Sequence, residues 1–326
     1  MIEIVATAGL ATVQDLGRYG SLRYGVGRAG AMDRLALAAA NLLLGNDEAA
    51  AGIELQVLPF TARFTADCSF ALAGADCAAR LDGQALLPWS AYSAGAGQEL
   101  VLGLPARGAS RAYLALPGGV DVPEVLGSRS TQLRGAFGGL DGRFLRAGDQ
   151  LRAAAPSPRV GGFGLVPPSL GLPLEAGEFP AVRVLPAAEY CRFTQAAKEV
   201  FWSGAWKITA QSDRYGYRLA GDALAFAEPV EMLSHGIVPG VIQVPPGGQP
   251  IIQMSDAQPS GGYPKIGTVI DADLWRLGQA PIGTRIRFVR TDWDEAVAAG
   301  EAVRAWLDEA GRLARLQRTQ YIGGRR

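Results

Sequence analysis

The segment QPSGGYPK at residues 258–265 combines residue types that could hold a small polar or anionic ligand. Gly261 and Gly262 have no side chain, so the backbone there can approach a ligand closely. Lys265 is one of only three lysines among 31 basic residues, and its compact ammonium differs from the planar guanidinium of arginine. Asp256 is near enough in sequence to keep that ammonium charged. The segment predicts a catalytic lysine, although an exposed lysine on a Gly-Gly-x-Pro turn would give the same pattern.

The glycine-rich segment TVQDLGRYGSLRYGVGRAGAMD at residues 12–33 is a second candidate. In one interpretation it wraps against a ligand and directs Gln14, Asp15 and Arg18 inward. Arg18 and Arg28 could then each bind a carboxylate or phosphate through two parallel hydrogen bonds. In the other interpretation the segment forms a set of tight turns, and Asp15 pairs with Arg18. The spacing favours neither interpretation.

Two arginines alternate with two tyrosines in SDRYGYR at residues 212–218. On a β-strand Arg214 and Arg218 would share one face, and the two tyrosines would share the other. Two converging guanidinium groups suit an anion. A surface strand whose arginines lie along tyrosine rings would show the same alternation, so both interpretations stay open.

Other polar residues give weaker signals. His235 is the only histidine, and without a visible partner we interpret it as structural. A mechanism that needs two histidines from this chain is excluded. Four glutamines could either satisfy buried backbone groups or bind an amide-like or urea-like group; these are Gln243, Gln249, Gln253 and Gln258.

The sequence predicts that mainly β-strands position these residues. Short β-rich runs bounded by glycine or proline, such as RAYLALPG and TRIRFVR, are typical of a barrel or sandwich. Helical spacing of apolar residues predicts helices over residues 33–44, where Asp33 is the expected N-cap, and over about 187–201. A third helix is expected from Asp292, which forms a capping pair with Glu295.

The halves of the chain carry a weak repeat. Gly118-Gly119 precedes Pro123 in the first half, and Gly261-Gly262 precedes Pro264 in the second. The repeat suggests two related β lobes that share a turn, and the interface between such lobes is the default place for a site. A stretch rich in proline and glycine separates them. The predicted parts are an N-terminal β lobe with one helix (1–155), a connector (156–181) and a C-terminal β lobe with the C-terminal helix (182–326).

Composition narrows the class of protein. The 31 basic residues balance 31 acidic residues, which is unlike the basic surface of a nucleic-acid-binding protein. The N-terminus lacks the features of a signal peptide. The longest uncharged run, residues 236–255, carries four prolines and cannot form a membrane-spanning helix. Three scattered cysteines predict neither a disulfide framework nor a zinc site, so we expect a cytoplasmic protein with no metal site.

Several familiar motifs are missing from the sequence. It contains no G-x-x-x-x-G-K-[ST] phosphate-binding loop and no G-x-S-x-G nucleophile elbow. It also has no Met-Lys-Met site for biotin attachment, so we predict that this chain carries no covalent biotin.

Three long segments together resemble the biotin-dependent carboxyltransferase-like family, whose members are labelled as the second subunit of allophanate hydrolase, as KipA-like, or as the C subunit of 5-oxoprolinase. The motifs are TVQDLGRYG at the start of residues 12–46, DRYGYRL at 213–219, and GVIQVPPGGQPII followed by SGGYPKIGTVI within 240–274. The similarity runs in order along nearly the whole chain.

The resemblance implies an α+β chain, mainly β with a few helices, built as two related cyclophilin-like β-barrel lobes. It also implies two partners, the KipI-like B subunit and the A subunit of 5-oxoprolinase, in a complex that opens 5-oxo-L-proline to L-glutamate with hydrolysis of ATP. The nucleotide, with Mg²⁺, would bind to this chain or to a partner. Arg18, Arg214 and Lys265 would then stabilise phosphoryl charge.

The predicted site combines the motif residues with the candidates above. The predicted catalytic residues are Asp15, Asp256, Tyr263 and Lys265. The predicted ligands of substrate or nucleotide are Gln14, Arg18, Arg28, Arg214, Arg218, Gln258, Gly261 and Gly262.

Two other functions are compatible with the same resemblance. One is a KipA-type regulatory protein that binds a KipI-like inhibitor of a histidine kinase. The other is a carboxyltransferase that acts on urea or a similar amide with a separate biotin carrier. The chain has no biotinyl lysine, no ATP-grasp-like domain and no Ser-Gly-rich amidase signature, which favours a component of 5-oxoprolinase.

Overall fold

The computed structural model describes residues 1–56, 59–105, 108–156, 160–172, 174–176 and 178–323. Within them the chain is mainly β with a few helices, as predicted from the sequence. In the same part of the chain, no helix combines the length and apolar character that crossing a membrane requires.

The strands are β1 Ile2–Thr7, β2 Ala11–Gln14, β3 Gly52–Leu55, β4 Phe60–Phe64, β5 Cys68–Gly74, β6 Arg80–Leu81, β7 Gln84–Ala85, β8 Ser90–Ala94, β9 Glu99–Leu102, β10 Ala112–Ala115, β11 Gln150–Leu151, β12 Phe163–Gly164, β13 Glu175–Ala176, β14 Phe179–Pro186, β15 Trp206–Ile208, β16 Gly216–Ala220, β17 His235–Gly236, β18 Val241–Gln243, β19 Ile251–Gln253, β20 Ser260–Gly261, β21 Lys265–Val269 and β22 Arg285–Arg290. The helices are α1 Arg34–Leu44, α2 Pro168–Gly171, α3 Gln195–Ser203, α4 Leu274–Gln279 and α5 Trp293–Gly323.

The chain forms two compact units, here called the first lobe and the second lobe. The first lobe contains Met1–Arg18, Ala29–Gly171 and the residues from Arg304 onward. The second lobe contains Tyr19–Arg28 and Leu172–Val303. The division after Gly171 falls inside the stretch that the sequence indicated as a connector. The grouping of residues 19–28 with the second lobe, and of the end of α5 with the first, had no counterpart in the sequence pattern.

The first lobe contains two six-stranded sheets, in the orders β11-β1-β4-β9-β6-β7 and β12-β8-β5-β10-β3-β2. Their shared core is apolar and includes Ile4, Phe60 and Leu114, each fully buried. Helix α1 buries Leu37 and Leu43 in a second cluster with residues of β5 and β10. Among the described residues, one apolar cluster of this lobe lies among the strands of the sheets and another includes α1.

The C-terminal part of α5 packs on the first lobe through aromatic and charged contacts. Trp306 meets Trp89 edge to face, with ring centres 6.2 Å apart. Arg318 donates to the carbonyl oxygen of Leu43 at 3.0 Å, one of the carbonyls that the end of α1 leaves without an intrahelical partner. Arg304 pairs with Glu48 at 2.7 Å. These contacts explain why the end of the helix belongs to the first lobe.

The second lobe is built around a closed seven-stranded barrel in the order β14-β21-β18-β19-β16-β15-β22, with β22 pairing back to β14 in parallel. Ile242 and Ile252 are cross-strand partners and are fully buried. The ring of Phe201 in α3 stacks on Phe288 in β22, with ring centres 4.7 Å apart. Strands β17 and β20 form a separate two-stranded ribbon. Closing the barrel leaves its strands without a free edge.

Local signals predicted the helix starts well. Asp33 caps α1 by accepting a hydrogen bond from the amide of Ala36 at 2.9 Å. Asp292 likewise accepts from the amide of Glu295 at 2.9 Å at the start of α5. The helix expected over 187–201 is instead a 3₁₀ turn, Ala188–Arg192, followed by α3. The break occurs because Thr194 is extended and caps α3 through the amide of Ala197.

The two glycine pairs of the proposed repeat differ in backbone conformation. Gly118 and Gly119 have φ angles of 70° and 90°, in the region that favours glycine. Gly261 and Gly262 do not have positive φ angles, and Gly261 belongs to β20. The expectation of a turn common to both lobes is therefore wrong, because the two glycine pairs serve different backbone geometries.

Candidate functional site

Lys265 lies at an irregularity of the second-lobe barrel. Along the pairing of β18 with β21, Ile242 faces Gly267, whereas Gln243 faces Lys265. The shift leaves Ile266 as one extra residue on β21, which is the count of a β-bulge. Bulges redirect side chains and are common beside active sites. Here the bulge makes Lys265 the cross-strand neighbour of Gln243.

Two side chains from distant parts of the chain approach the ammonium of Lys265. Its Nζ lies 2.7 Å from Nε2 of His235 in β17 and 3.5 Å from Oε2 of Glu189. The same oxygen of Glu189 accepts a hydrogen bond from the backbone amide of Lys265 at 3.2 Å. The side chains of Lys265 and Glu189 remain 19% and 15% exposed, so this cluster can be reached by solvent.

These contacts correct the expectation that Asp256 holds Lys265 charged. Asp256 is 1% exposed and is bound by Arg214 through two hydrogen bonds of 2.9 Å, from Nε and from Nη2. The acid beside Lys265 is Glu189. Glu189 is 76 residues from Lys265 in sequence, and no local pattern connects the two.

Gly261 and Gly262 allow the ribbon of β17 and β20 to lie tightly on its neighbours. A Cβ atom at Gly261 would come within 2.7 Å of Nε2 of Gln243, and one at Gly262 within 3.0 Å of the carbonyl oxygen of Met232. The backbone at these glycines thus approaches protein atoms closely. Tyr263, two residues before Lys265, is 48% exposed, and Gln258 is also exposed.

Three of the four glutamines bond to one another or to the backbone. Gln253 donates from Nε2 to Oε1 of Gln243 at 2.9 Å, and Gln243 makes a long contact of 3.4 Å to the carbonyl of Tyr263. Gln249 donates to the carbonyl of Gly221 at 3.0 Å and accepts from its amide at 3.1 Å. The contacts of Gln243 and Gln253, both buried, favour the interpretation in which the glutamines satisfy buried groups. Gln249 is only partly buried, and its partner Gly221 is exposed.

The expectation that Arg214 and Arg218 share a strand face is wrong. Arg214 is 5% exposed and buried with Asp256, whereas Arg218 is exposed. The strand begins only at Gly216. Oδ1 of Asp213 accepts hydrogen bonds from the amides of Tyr215 and Gly216, and these bonds form a turn before the strand. The two arginines therefore do not converge.

In the first lobe Asp15 is bound by several donors at once. Its carboxylate accepts hydrogen bonds from the amide of Gly17 at 2.8 Å, the hydroxyl of Ser128 at 2.8 Å and the amide of Arg129 at 2.6 Å. The hydroxyl of Ser130 donates to it as well. A carboxylate with this many donors joins two loops of the lobe, and Asp15 is only 8% exposed.

The neighbours Arg18 and Gln14 are also enclosed. Arg18 is fully buried, donates to the carbonyl oxygens of Val125 at 2.9 Å and Ser130 at 3.1 Å, and stacks over the ring of Phe137. Gln14 is fully buried and accepts a hydrogen bond from the amide of Gly30 at 3.1 Å. These contacts favour the interpretation of the segment as a set of tight turns. They do not support the pairing of Asp15 with Arg18 expected with it, because Asp15 accepts from amides and serine hydroxyls and Arg18 donates to carbonyl oxygens.

Arg28 lies in the part of that segment that belongs to the second lobe. Its guanidinium carbon is 4.3 Å from the ring centre of Tyr19, and it donates to the hydroxyl of the same residue. Tyr19 is 55% exposed. Arg28 is partly buried, so of the arginines predicted as ligands it and Arg218 are accessible to solvent.

A buried polar cluster in the first lobe was not singled out from the sequence. The hydroxyl of Tyr113 donates to Oε2 of Glu54 at 2.7 Å and accepts from the amide of Asp33 at 2.7 Å. Burial, and secondly the charge of Glu54, raise the pKa of Tyr113 well above its ordinary value. The phenol therefore stays protonated and helps to fix the start of α1.

Comparison with known proteins assigns the family. The family model described as "Carboxyltransferase domain, subdomain A and B" matches residues 24–290. The chain therefore belongs to this carboxyltransferase-domain family, as the sequence motifs indicated.

Two curated relatives match over nearly their whole length. The chain is 41% identical to the C subunit of 5-oxoprolinase from Escherichia coli K12 over 312 residues, which is 95% of this chain and 97% of that protein. It is likewise 41% identical to the C subunit of 5-oxoprolinase from Haemophilus influenzae over 313 residues, covering 96% and 98%.

Solved structures of larger proteins share the fold. The crystal structure of K. lactis urea amidolyase matches with a TM-score of 0.86 and 28% identity, over 95% of this chain but 20% of that one. The K. lactis urea carboxylase matches with a TM-score of 0.85 and 28% identity, over 95% of this chain and 29% of that one. In both proteins the matching part is a minor portion of a longer chain.

Two members of the Lys265 cluster were not predicted from the sequence. Glu189 was not considered, and His235 was interpreted as structural because no partner was visible. The signal that could have raised interest is the rarity of two of the residue types, since the chain has one histidine and three lysines. Their proximity depends on the pairing of β17 with β20 and of β18 with β21, which no local pattern reports.

Proposed function

We propose that this chain is the C subunit of an ATP-dependent 5-oxoprolinase and acts in a complex with the A and B subunits of that enzyme. The observation that carries the proposal is the reciprocal coverage of the E. coli relative, 95% of this chain and 97% of that protein at 41% identity. The two chains share nearly all of their length, whereas the match to urea amidolyase covers 20% of that chain.

The proposed reaction develops negative charge on the substrate, and the enzyme must stabilise that charge. A lactam is a poor electrophile, and transfer of the γ-phosphoryl group of ATP to its oxygen would activate the ring carbonyl. One water molecule then adds to that carbon and the ring C–N bond breaks, which leaves an acyl phosphate with a free amine. A second water molecule hydrolyses the acyl phosphate to the carboxylate and releases phosphate. The sum converts 5-oxo-L-proline, ATP and two water molecules to L-glutamate, ADP and phosphate. Negative charge on the transferred group and on the carbonyl oxygen requires fixed donors.

Lys265 is our proposed donor in this chain. Its ammonium is partly exposed and is held by Glu189 and His235. Tyr263 lies beside it with 48% of its surface exposed. Arg18 and Arg214 are buried with partners inside their own lobes, which supports structural roles for them. ATP with Mg²⁺ would bind to the assembled complex, and a partner could supply most of that site.

Reconstitution tests the function. The chain is purified with the candidate A and B subunits, and ATP hydrolysis is measured with and without 5-oxo-L-proline. We expect 5-oxoproline-dependent release of phosphate only when all three proteins are present. A complete complex that forms but hydrolyses ATP without responding to 5-oxoproline would overturn the proposal.

A lysine substitution tests the role of Lys265 in the same complex. Lys265→Met should lower kcat by about 100-fold or more, the effect of removing one charge-stabilising donor. Lys207→Met, at an exposed position of β15, is the matched control and should leave kcat unchanged. Equal turnover by both variants would remove Lys265 from the mechanism.

Carboxyl transfer is the second candidate, favoured by the fold shared with K. lactis urea carboxylase at a TM-score of 0.85. In that case the chain would act on urea or a similar amide with a separate biotin carrier. A biotinylated protein that co-purifies with the chain, together with transfer of labelled carboxyl groups to urea, would support it. Tight binding of a kinase inhibitor without turnover of either kind would instead favour a KipA-type regulator.

A further inference from the structure

We infer that His235 is a positioning residue for Lys265: a neutral imidazole, protonated on Nδ1, whose Nε2 accepts a hydrogen bond from the lysine ammonium and orients it toward an anionic ligand. The inference rests on the proposed function for the identity of that ligand. It assigns a role to the only histidine of the chain.

Two contacts determine the same tautomer of His235. The ammonium of Lys265 can only donate hydrogen bonds, so Nε2 of His235, 2.7 Å away, must accept. The proton of a neutral ring is then on Nδ1. Nδ1 lies 3.2 Å from the carbonyl oxygen of Leu233, which can only accept. Both contacts therefore require a proton on Nδ1 and none on Nε2.

The geometry leaves the ammonium with capacity for a ligand. An ammonium has three N–H groups, of which one points to His235 and another faces Glu189 at 3.5 Å. The third is available on a side chain that is 19% exposed. A ligand oxygen such as that of a phosphoryl group or an oxyanion could accept it.

A neutral acceptor at position 235 suits this role electrostatically. Glu189 already balances the charge of Lys265. A second carboxylate in place of His235 would make the cluster negative and would repel an anion. Imidazole accepts a hydrogen bond without adding negative charge, so it can fix the lysine while preserving attraction for the ligand.

The ribbon holds the ring in place. His235 is paired with Gly261 across β17 and β20, and Gly261 fits only because it lacks a Cβ atom that would come within 2.7 Å of Gln243. The backbone of His235 is therefore held in a ribbon that approaches the barrel closely at Gln243. A positioning residue needs a backbone that is held in place in this way.

Two substitutions with opposite chemistry test the role in the reconstituted complex. His235→Phe keeps an aromatic ring and removes the acceptor, and we expect kcat to fall about 10-fold to 100-fold, as for loss of a hydrogen bond to a charged group. His235→Gln keeps an oxygen near the position of Nε2 and should remain within about 5-fold of wild type. If the ring mattered only for packing, the order would reverse and the phenylalanine variant would be the more active one.

A spectroscopic measurement on the isolated chain tests the inference without any assay of turnover. With ¹⁵N-labelled histidine, a long-range ¹H–¹⁵N correlation spectrum contains signals from this single side chain. We expect the Nδ1–H tautomer in the wild-type protein and in Lys265→Met, because the carbonyl of Leu233 holds it in both. The ¹⁵N resonance of Nε2 should move toward that of an unbonded ring nitrogen in Lys265→Met, which lacks the donor to that atom. An Nε2–H tautomer in the wild type, or an Nε2 resonance that is the same in wild type and Lys265→Met, would overturn the inference.

The two measurements separate failure of the inference from failure of the proposed function. If the complex does not turn over 5-oxoproline but the Nε2 resonance responds to Lys265→Met, the proposed function fails and the pairing of His235 with Lys265 stands. If turnover is found and His235→Phe is as active as wild type, the proposed function stands and the positioning role fails.

Discussion

The polar cluster around Asp15 in the first lobe and the one around Lys265 in the second both arise next to glycine-rich segments, yet their surroundings differ. Asp15 is 8% exposed and bound mainly by backbone amides and serine hydroxyls. Lys265 is held by two titratable side chains, Glu189 and His235, and keeps 19% of its side chain exposed.

The difference distinguishes a network that fixes loops from one that can bind a ligand. A carboxylate whose oxygens already accept four hydrogen bonds has little capacity left. An ammonium held on two sides can still donate on the third. Polar residues near glycines are thus ambiguous in sequence, and what separates the two regions is the capacity that remains after folding.

The buried pair of Arg214 and Asp256 provides the largest expected effect and shows that a closed network also exists in the second lobe. Arg214→Met removes the two hydrogen bonds that Arg214 donates to the carboxylate of Asp256, which is 1% exposed. We expect the free energy of unfolding to fall by about 3–5 kcal/mol, measured by denaturant titration. Arg218→Met, at an exposed position four residues away, should change it by less than about 0.5 kcal/mol. Similar losses of unfolding free energy in both variants would contradict the difference expected between the buried and the exposed arginine.

Removal of the carboxylate of Asp15 should have the next largest effect. Asp15→Ala leaves the donors at Gly17, Ser128 and Arg129 without their acceptor, and we expect a loss of about 2–4 kcal/mol in the free energy of unfolding. Asp47→Ala is the control, because Asp47 is exposed and its carboxylate accepts a hydrogen bond from the amide of Ala49. If Asp15→Ala were as stable as the control but inactive in the complex, Asp15 would belong with Lys265.

The Lys265 cluster should behave in the opposite way. Lys265→Met is expected to change the free energy of unfolding by less than about 1 kcal/mol, as for a partly exposed ion pair, while turnover is lost. Thermal denaturation of the isolated chain measures the first effect, and the reconstituted assay measures the second. A loss of stability as large as that of Asp15→Ala would make Lys265 a structural residue.

The smallest effect is expected from an ion pair of the first lobe that titrates at acid pH. Hydrogen bonds from Arg143, at 2.7 and 2.9 Å, hold the pKa of Asp149 below its ordinary value. A carboxyl with a lowered pKa contributes stability above its unfolded-state pKa of about 3.9 and loses that contribution as the pH falls through the folded-state value. Arg143→Gln should therefore cost about 0.5–1 kcal/mol at pH 7.

The pH dependence of stability provides the control for the pair of Arg143 and Asp149. The difference in the free energy of unfolding between wild type and Arg143→Gln should shrink as the pH is lowered through the acid range. A difference that stays constant down to about pH 2 would show that Arg143 acts through packing of its side chain.

The sequence by itself determined the features that depend on near neighbours. Asp33 before an apolar repeat predicted the start of α1, and Asp292 with Glu295 predicted the start of α5. The short β-rich runs predicted a mainly β chain, and the long motifs predicted the family. All of these depend on residues within a few positions of one another, or on ordered motifs that survive in the chain itself.

Only the tertiary structure decided which polar residues have capacity for a ligand. Arg18 meets a carbonyl 107 residues away, Arg214 meets an acid 42 residues away, and Lys265 meets a histidine 30 residues away. The physical reason is that burial and pairing of a side chain depend on strand register and barrel closure. One shift in register at the bulge of β21 makes Lys265 the neighbour of Gln243, and no local pattern of residue types records it.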